Sequence, residues 1–289
     1  MDYNKFKILE FKLSTMVPNP SIVMIARRGS GKSYIARDII YHYRHLPAGI
    51  VIAPTDRMTG FYKKFFPDLF IHYDFKNNIL EKILVRQRLM TMKQINKRKQ
   101  GKKVDPCGIL IMDDCLATKR TWAKDDNITE ILMNGRHYNL TYILTMQAPL
   151  GIAPDLRFNF DYVFLLKEDS VITKKKLYDN YASMFSNLAM FEIVHSKCTE
   201  NFCCMVIDNR KPSDKISEKV FWFRAKERNF KFGSREFRKF HKKYCNPFHA
   251  DMKIPPMTNL NTLFRNTRKG DVDIKVEKMK SHRKKEITI

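Results

Sequence analysis

Short apolar runs alternate along the chain with segments in which apolar side chains recur at every third or fourth position. A continuous apolar run of about four to eight residues is typical of a buried strand, whereas the wider spacing predicts an amphipathic helix. Alternation of the two patterns predicts an α/β fold whose sheet is mostly parallel, with helices on both faces and right-handed crossovers.

The individual elements follow from the same patterns. Strands are predicted at 6–13, 22–25, 49–53, 108–114, 139–147, 161–166, 203–207 and 220–223. Helices are predicted at 33–45, 82–104, 126–138 and 171–184. No internal repeat interrupts this order.

The turn between the first strand–helix pair carries candidate chemistry. Residues 22–33 read Ile-Val-Met-Ile-Ala-Arg-Arg-Gly-Ser-Gly-Lys-Ser. Glycine at 29 and 31 lets backbone N–H groups face phosphate oxygens, Lys32 places a cation near the β- and γ-phosphates, and Ser33 is placed to ligate Mg²⁺. The predicted ATP-binding segment comprises Ala26, which replaces the usual first glycine, and Arg27, Arg28, Gly29, Ser30, Gly31, Lys32 and Ser33.

Two carboxylates end the apolar run 108–114, which reads Gly-Ile-Leu-Ile-Met-Asp-Asp. The carboxyl ends of strands in open α/β sheets are where ligands bind. We expect Asp113 to partner Mg²⁺ together with Ser33, and Asp114 to orient or deprotonate the attacking water. The strand at 139–147 ends in polar Thr145 and Gln147, and an amide suits this place because it can donate to a phosphate and accept from water.

Arg136 is the candidate for an arginine finger, a guanidinium that reaches the nucleotide of a neighbouring subunit. It follows the helix predicted at 126–138 in the segment Asn-Gly-Arg-His. The alternative is that Arg136 only places a positive charge at the carboxyl end of that helix, where the helix dipole favours it.

Four segments in order, Ala-Arg-Arg-Gly-Ser-Gly-Lys-Ser, Leu-Ile-Met-Asp-Asp, Asn-Gly-Arg-His-Tyr-Asn-Leu and Thr-Met-Gln, resemble the poxvirus-type genome-packaging ATPases. These belong to the FtsK–HerA superfamily and occur in large nucleocytoplasmic DNA viruses, and the resemblance covers roughly residues 15–210. It implies a RecA/ASCE-like P-loop NTPase core at 1–210, in which the strand carrying Gln147 lies between the phosphate-loop strand and the acidic strand. Asp114 stands where the superfamily usually has Glu, which leaves the identity of the general base open.

The resemblance also implies partners and a location. They are double-stranded DNA, further copies of the chain in a ring of five or six subunits, and capsid or internal-membrane proteins. The location implied is the viral factory in the host cytoplasm, and the virion.

Composition narrows the class of partner. Among 289 residues, Lys and Arg outnumber Asp and Glu by 54 to 30, and the formal net charge is +24. Such a charge predicts a polyanionic partner, nucleic acid first and an anionic membrane surface second. No apolar run approaches the roughly 18 residues that span a bilayer, so no transmembrane segment is expected.

The excess of positive charge is concentrated in two regions. The helix at 82–104 combines an apolar stripe (Leu84, Leu89, Met92, Ile95) with a basic ridge, of which Lys97, Arg98, Lys99, Lys102 and Lys103 are the candidate DNA contacts. A solvated basic helix is the alternative for this ridge. The second region is a basic C-terminal segment at 211–289, partly disordered at its end, whose aromatic side chains either stack on bases or pack on the core.

These patterns favour an ATP-hydrolysing double-stranded DNA translocase that packages a viral genome. Another P-loop enzyme, either a helicase or a nucleotide kinase, is an alternative, and so is a basic DNA-binding structural protein with an inert nucleotide site. A GTPase is disfavoured because the chain lacks an Asn-Lys-x-Asp motif. Two clusters leave a zinc site open: His195 with Cys198, Cys203 and Cys204, and Cys245 with His241 and His249.

Overall fold

The computed structural model describes residues 7–115 and 125–245. The predicted disordered end of the basic C-terminal segment and the first residue of the strand at 6–13 lie outside these ranges. Helices and strands are numbered here in chain order.

One nine-stranded sheet organises the described chain, in the order β1-β9-β8-β7-β2-β6-β5-β3-β4. The strands are β1 (Leu9–Glu10), β2 (Ser21–Ile25), β3 (Gly49–Ile52), β4 (Ile71–His72), β5 (Gly108–Asp113), β6 (Leu140–Met146), β7 (Tyr162–Leu165), β8 (Cys203–Asp208) and β9 (Val220–Arg224). All neighbouring pairs are parallel except β7–β8 and β8–β9. The predicted mostly parallel sheet is confirmed, and β6 lies between β2 and β5 as expected.

Helices cover both faces of the sheet. They are α1 (Lys32–His42), α2 (Asn77–Lys99), α3 (Asp126–Asn134), α4 (Pro154–Arg157), α5 (Val171–Tyr181), α6 (Leu188–Cys198), α7 (Ile216–Lys219) and α8 (Arg235–Tyr244). None of the helices in these ranges is long and apolar enough to cross a membrane.

Strand β2 shows how the sheet is buried on both sides. Val23 and Ile25 join a core with α2, α3, α5 and α6, whereas Ile22 and Met24 join a second core with α1 and α8. Successive side chains of a strand point to opposite faces, so a continuous apolar run is what a doubly covered strand requires. This arrangement fixes the carboxyl end of β2, and the loop that follows it, at the centre of the sheet.

The sheet continues past residue 210, where the sequence placed the end of the core. Strand β9 pairs with both β8 and β1, so the segment at 220–224 is part of the sheet. Two of the aromatic residues that follow pack on the core: Phe232 stacks on Phe66 with ring centroids 4.4 Å apart, and Phe237 stacks on Phe70 at 4.1 Å. Core packing is therefore observed for Phe232 and Phe237, whereas Phe240 and Tyr244 are 50% and 54% exposed.

Candidate functional site

The loop between β2 and α1 has the conformation that a phosphate-binding loop needs. Gly29 and Gly31 adopt φ angles of 81° and 90°, in the left-handed region that favours glycine. Helix α1 begins at Lys32, so its amino end, with unpaired N–H groups and the positive end of the helix dipole, faces the loop. Ser30 braces the turn, because its hydroxyl donates to the Arg27 carbonyl oxygen at 2.7 Å.

Lys32 is held directly opposite the first acidic residue. Its Nζ lies 3.3 Å from Oδ1 of Asp113, and both side chains are mostly buried. The same carboxylate oxygen accepts a hydrogen bond from the Thr145 hydroxyl at the end of β6. Burial, reinforced by the charge and hydrogen bonding of Asp113, raises the pKa of Tyr62 well above its usual value, so this phenol stays protonated beside the carboxylate.

The second acidic residue is turned away from the line of the strand. Asp114 adopts φ 53°, an uncommon angle for a non-glycine residue, and its backbone N–H donates to the Thr145 carbonyl oxygen at 3.2 Å. The Gln147 amide donates to the Asp114 carboxylate. The structure therefore brings together Lys32, Asp113, Asp114 and Gln147, which the sequence places in three separate segments.

A cavity of about 810 Å³ opens above these residues, at the carboxyl end of the sheet. It is lined by seven residues of the predicted ATP-binding segment (Ala26, Arg27, Arg28, Gly29, Gly31, Lys32, Ser33), with Asp113, Asp114 and Gln147. Ser30 of that segment is not among the lining residues. Arg27 pairs with Asp169 at 2.8 Å, with both side chains more than half exposed, so this ion pair contributes little to stability.

The turn after β3 also lines the cavity, and the sequence analysis missed it. Its buried Asp56 accepts hydrogen bonds from the Thr59 hydroxyl and from the backbone N–H groups of Phe61 at 2.6 Å and Tyr62 at 3.1 Å. These bonds hold the turn against the cavity and place Tyr62 beside Asp113. The signal was present in the sequence, because Pro-Thr-Asp-Arg-Met-Thr-Gly after an apolar run is typical of a structured turn.

Two further lining residues lie on the other side of β2: Phe202 immediately precedes β8, and Arg224 ends β9. Neither belongs to a motif in the sequence. Only the order of strands in the sheet brings them to the cavity.

Arg136 lies at the opposite end of the sheet from the phosphate loop of its own chain. Its guanidinium pairs with Asp161, whose carboxylate also accepts the backbone N–H of Ser21 at 2.9 Å. Ser21 begins β2 and the phosphate loop follows the end of β2, so about 16 Å of strand separates the two sites. Arg136 is therefore no part of the cavity in its own chain, and its role as a finger toward a neighbour stays a prediction.

The candidate DNA contacts lie at the end of α2. The side chain of Gln87 donates to the carbonyl oxygens of Tyr138 at 2.7 Å and Asn139 at 3.1 Å, just before β6 begins. Thr91 accepts a hydrogen bond from the Asn139 amide at 3.2 Å. The last eight residues of α2 extend about 12 Å beyond this contact, at 1.5 Å per residue.

This projecting end carries the predicted basic residues. Lys97, Arg98 and Lys99 form its last turn, and Lys102 and Lys103 follow. Within the described ranges, none of these five side chains makes an ion pair. Of the four residues of the predicted apolar stripe, only Leu84 packs in the core, while Leu89, Met92 and Ile95 are 61%, 63% and 51% exposed.

The two clusters form no metal centre in the part of the chain that the structure describes, and His249 of the second cluster lies outside that part. No group of three or more His, Cys, Asp or Glu side chains there is placed to hold a metal ion. Burial raises the pKa of Cys198 to about 12, and burial likewise raises the pKa of Cys204. Both thiols are buried in the hydrophobic core.

These features define a P-loop NTPase fold. The sheet is mostly parallel, a glycine-rich phosphate loop follows its central strand, a lysine faces an acidic strand end, and a strand with a polar end lies between them. Comparison with solved structures agrees. One similar structure is the genome packaging NTPase B204 from Sulfolobus turreted icosahedral virus 2 in complex with ATP-γS. The superposition includes 73% of this chain and 99% of the B204 chain, with a TM-score of 0.50 and 17% sequence identity. The DNA-packaging ATPase B204 from Sulfolobus turreted icosahedral virus gives TM-score 0.52, also at 17% identity.

Sequence relatives place the chain more narrowly. Protein L437 of Acanthamoeba polyphaga mimivirus is 60% identical over 96% of this chain and 97% of its own length. Protein 015R of Frog virus 3 is 32% identical over 81% of this chain and 74% of its own length. No protein-family model matches the chain. The chain belongs to this family of mimivirus and iridovirus proteins, which confirms the predicted relationship to large DNA viruses.

Proposed function

We propose that the protein hydrolyses ATP and uses the reaction to move double-stranded DNA into a viral capsid. The observation that supports this most strongly is the convergence of Lys32, Asp113, Asp114 and Gln147 beneath the phosphate loop. The shared fold with packaging NTPase B204, a protein solved with ATP-γS, supports ATP as the nucleotide and packaging as the process.

Each residue of the site has a chemical part in this proposal. Lys32 and the backbone N–H groups of the loop bind the β- and γ-phosphates. Asp114 and Gln147, which are hydrogen-bonded to each other, hold the attacking water in line with the γ-phosphate, and Asp114 is the candidate base. The Asp114 backbone angle fixes the direction of its carboxylate toward the cavity.

The donor set also fits Mg²⁺. Ser33 and Asp113 both line the cavity and offer a hydroxyl and a carboxylate oxygen, the hard ligands that Mg²⁺ prefers alongside phosphate oxygens and water. When bound, Mg²⁺ neutralises charge that builds on the phosphates. Thr145 and Lys32 keep the Asp113 carboxylate oriented for that task.

A ring of five or six copies would complete the site. In such a ring Arg136 reaches the nucleotide of the adjacent subunit, since it lies too far from its own. The projecting end of α2 then grips the DNA backbone through Lys97, Arg98, Lys99, Lys102 and Lys103 without reading bases. Capsid or internal-membrane proteins are the proposed docking partners, and the viral factory of the host cytoplasm and the virion are the proposed locations.

An ATPase assay with and without duplex DNA tests the proposal. We expect Mg²⁺-dependent ATP hydrolysis that duplex DNA stimulates. ATP hydrolysis that is stimulated only by single-stranded DNA would favour a helicase. Phosphate transfer to a nucleotide acceptor would favour a kinase. DNA binding without any hydrolysis would instead indicate a structural DNA-binding protein with an inert nucleotide site.

A further inference from the structure

Phe202 stands at the mouth of the nucleotide cavity and is 76% exposed. It ends a short 3-10 turn, Glu200–Phe202, immediately before β8. Its Cδ1 lies 3.9 Å from the position that a Cβ would take on Gly31, so the ring borders the phosphate loop itself. Because the ring is mostly exposed, burial of its apolar surface does not explain why a large aromatic residue occupies this position.

The backbone at this point is strained as well. Asn201 has φ 52° and ψ 44°, and Phe202 has φ 61°. Asn visits this left-handed region readily, but a bulky aromatic residue rarely does. Strain of this kind is found at ligand sites, where it holds a side chain in a required place.

The order of strands shows which part of a nucleotide would meet the ring. Asp113 ends β5, two strands from β2 on one side, and Phe202 precedes β8, two strands from β2 on the other. At about 4.8 Å per strand, the axes of β5 and β8 lie roughly 10 Å from β2 on opposite sides, and the side chains of Asp113 and Phe202 reach the central loop from those two sides. A nucleoside triphosphate whose terminal phosphates meet Lys32 and Asp113 therefore carries its base toward β8 and β9.

The second residue on that side is a cation. Arg224 ends β9 and lines the same cavity, and its side chain is exposed. A guanidinium can stack on a base or donate to its ring nitrogens and carbonyl oxygens. An aromatic ring and an arginine at the mouth of a phosphate site are groups that recognise the flat face of a purine.

We propose that Phe202 is the nucleobase platform of this site, on whose ring the purine of the bound nucleoside triphosphate stacks, with Arg224 at its edge. This inference rests on the proposed nucleotide-binding function. Stacking uses the π-face that every base has, so the platform favours purine nucleotides over the bare triphosphate without distinguishing adenine from guanine.

Calorimetric titration of the full-length chain with AMPPNP, GMPPNP and inorganic tripolyphosphate tests the proposal. Phe202→Ala is expected to weaken the binding of both nucleotides by about tenfold or more and to leave the affinity for tripolyphosphate unchanged. Phe202→Trp is expected to retain nucleotide affinity and to show fluorescence quenching when AMPPNP binds. The matched control is Phe158→Ala, which removes another exposed phenylalanine, 80% exposed, that does not line the cavity.

Several results would overturn the platform. Unchanged nucleotide affinity in Phe202→Ala would do so, and so would an equal loss of tripolyphosphate, since that loss indicates a damaged phosphate loop. Melting temperatures of the variants establish that they are folded, and a folded Phe202→Trp that binds without a fluorescence change also counts against stacking. Wild-type protein that binds AMPPNP without hydrolysing ATP would refute the proposed function and leave the platform standing, whereas wild-type protein that binds no nucleotide would refute both.

Discussion

At the carboxyl end of the sheet, the charged side chains have partners within the site: Lys32 pairs with Asp113, and Asp114 accepts a hydrogen bond from the Gln147 amide. At the amino end, Arg136 is 55% exposed with a single partner, and the basic end of α2 projects into solvent without ion pairs among the described residues. The carboxyl end thus has the organisation of a small-ligand site in which Lys32, Asp113, Asp114 and Gln147 all come from one chain. The amino end has the organisation of surfaces that other molecules complete.

The two ends should also respond differently to salt. Ion pairs in a partly buried cavity are screened weakly, whereas exposed charges more than about 8 Å apart are largely screened at physiological ionic strength. Substitutions at the carboxyl end should therefore impair the subunit that carries them at every salt concentration. Changes at the amino end should depend on salt or on the neighbouring subunit.

The largest expected effect is at Lys32. Lys32→Ala removes the cation that faces the phosphates and leaves Asp113 without its ionic partner, so ATP turnover should fall to the assay background. The fold should persist, because the lysine side chain contributes to the cavity and not to either core. Steady-state turnover and circular dichroism measure the two properties.

The control is Lys215→Ala, which removes an exposed lysine outside the cavity and should keep wild-type turnover. A folded Lys32→Ala protein with wild-type turnover would end the assignment of the phosphate loop.

Arg136→Ala should come next, with turnover lower by about 10³ to 10⁵ and ATP binding retained. A finger that acts on a neighbour can be separated from one that acts in its own chain by mixing this variant with Lys32→Ala. In mixed oligomers the Lys32→Ala subunit offers its intact Arg136 to an intact phosphate loop next to it, so part of the turnover should return. Mass photometry verifies that mixed oligomers have formed. If they stay inactive, Arg136 has only a structural role, in its ion pair with Asp161.

The carboxyl end was largely predictable from sequence, because its signals are local. The phosphate loop, the acidic strand end and Gln147 each follow an apolar run, and parallel strands must bring their carboxyl ends together. Strand β2 ends at the predicted residue and begins one residue earlier than predicted, and β5 ends one residue before its predicted end. The composition of the Asp56 segment indicates a turn, but only the fold shows that this turn lines the cavity and places Tyr62 beside Asp113.

Other features depend on contacts that no local pattern contains. Phe202 reaches the cavity only because β8 and β9 return to the sheet beside β7, and the core passes residue 210 for the same reason. The apolar stripe on α2 has helical spacing along its whole length. This spacing predicts one apolar face, but it does not reveal where α2 extends past the sheet and that face loses its packing partner. Leu89, Met92 and Ile95 lie near or beyond that point and are exposed.

The smallest expected effect concerns the end of α2. Charge reversal at Lys97, Arg98 and Lys99 should lower DNA affinity mainly at low salt and flatten its dependence on salt. Each phosphate contact contributes about −0.9 to the slope of log K against log salt, so the loss of three contacts should reduce the slope by about 2.7. Fluorescence anisotropy with duplexes of unrelated sequence, over a range of salt concentrations, measures the slope and its independence from sequence.

Charge reversal at the exposed Lys175 and Lys176 of α5 serves as the matched control and should leave the slope unchanged. Should the α2 variant keep the wild-type slope, its basic end is a solvated surface and the C-terminal segment becomes the better candidate for DNA contact.

Displacement of a third strand from duplex DNA tests the central claim most directly, because it reports movement along the duplex and not hydrolysis alone. With ATP and Mg²⁺, the wild-type chain should displace a triplex-forming oligonucleotide without separating the two duplex strands, while Lys32→Ala should leave it in place. ATP hydrolysis stimulated by DNA but without displacement, or displacement that proceeds equally well without ATP, would contradict the account.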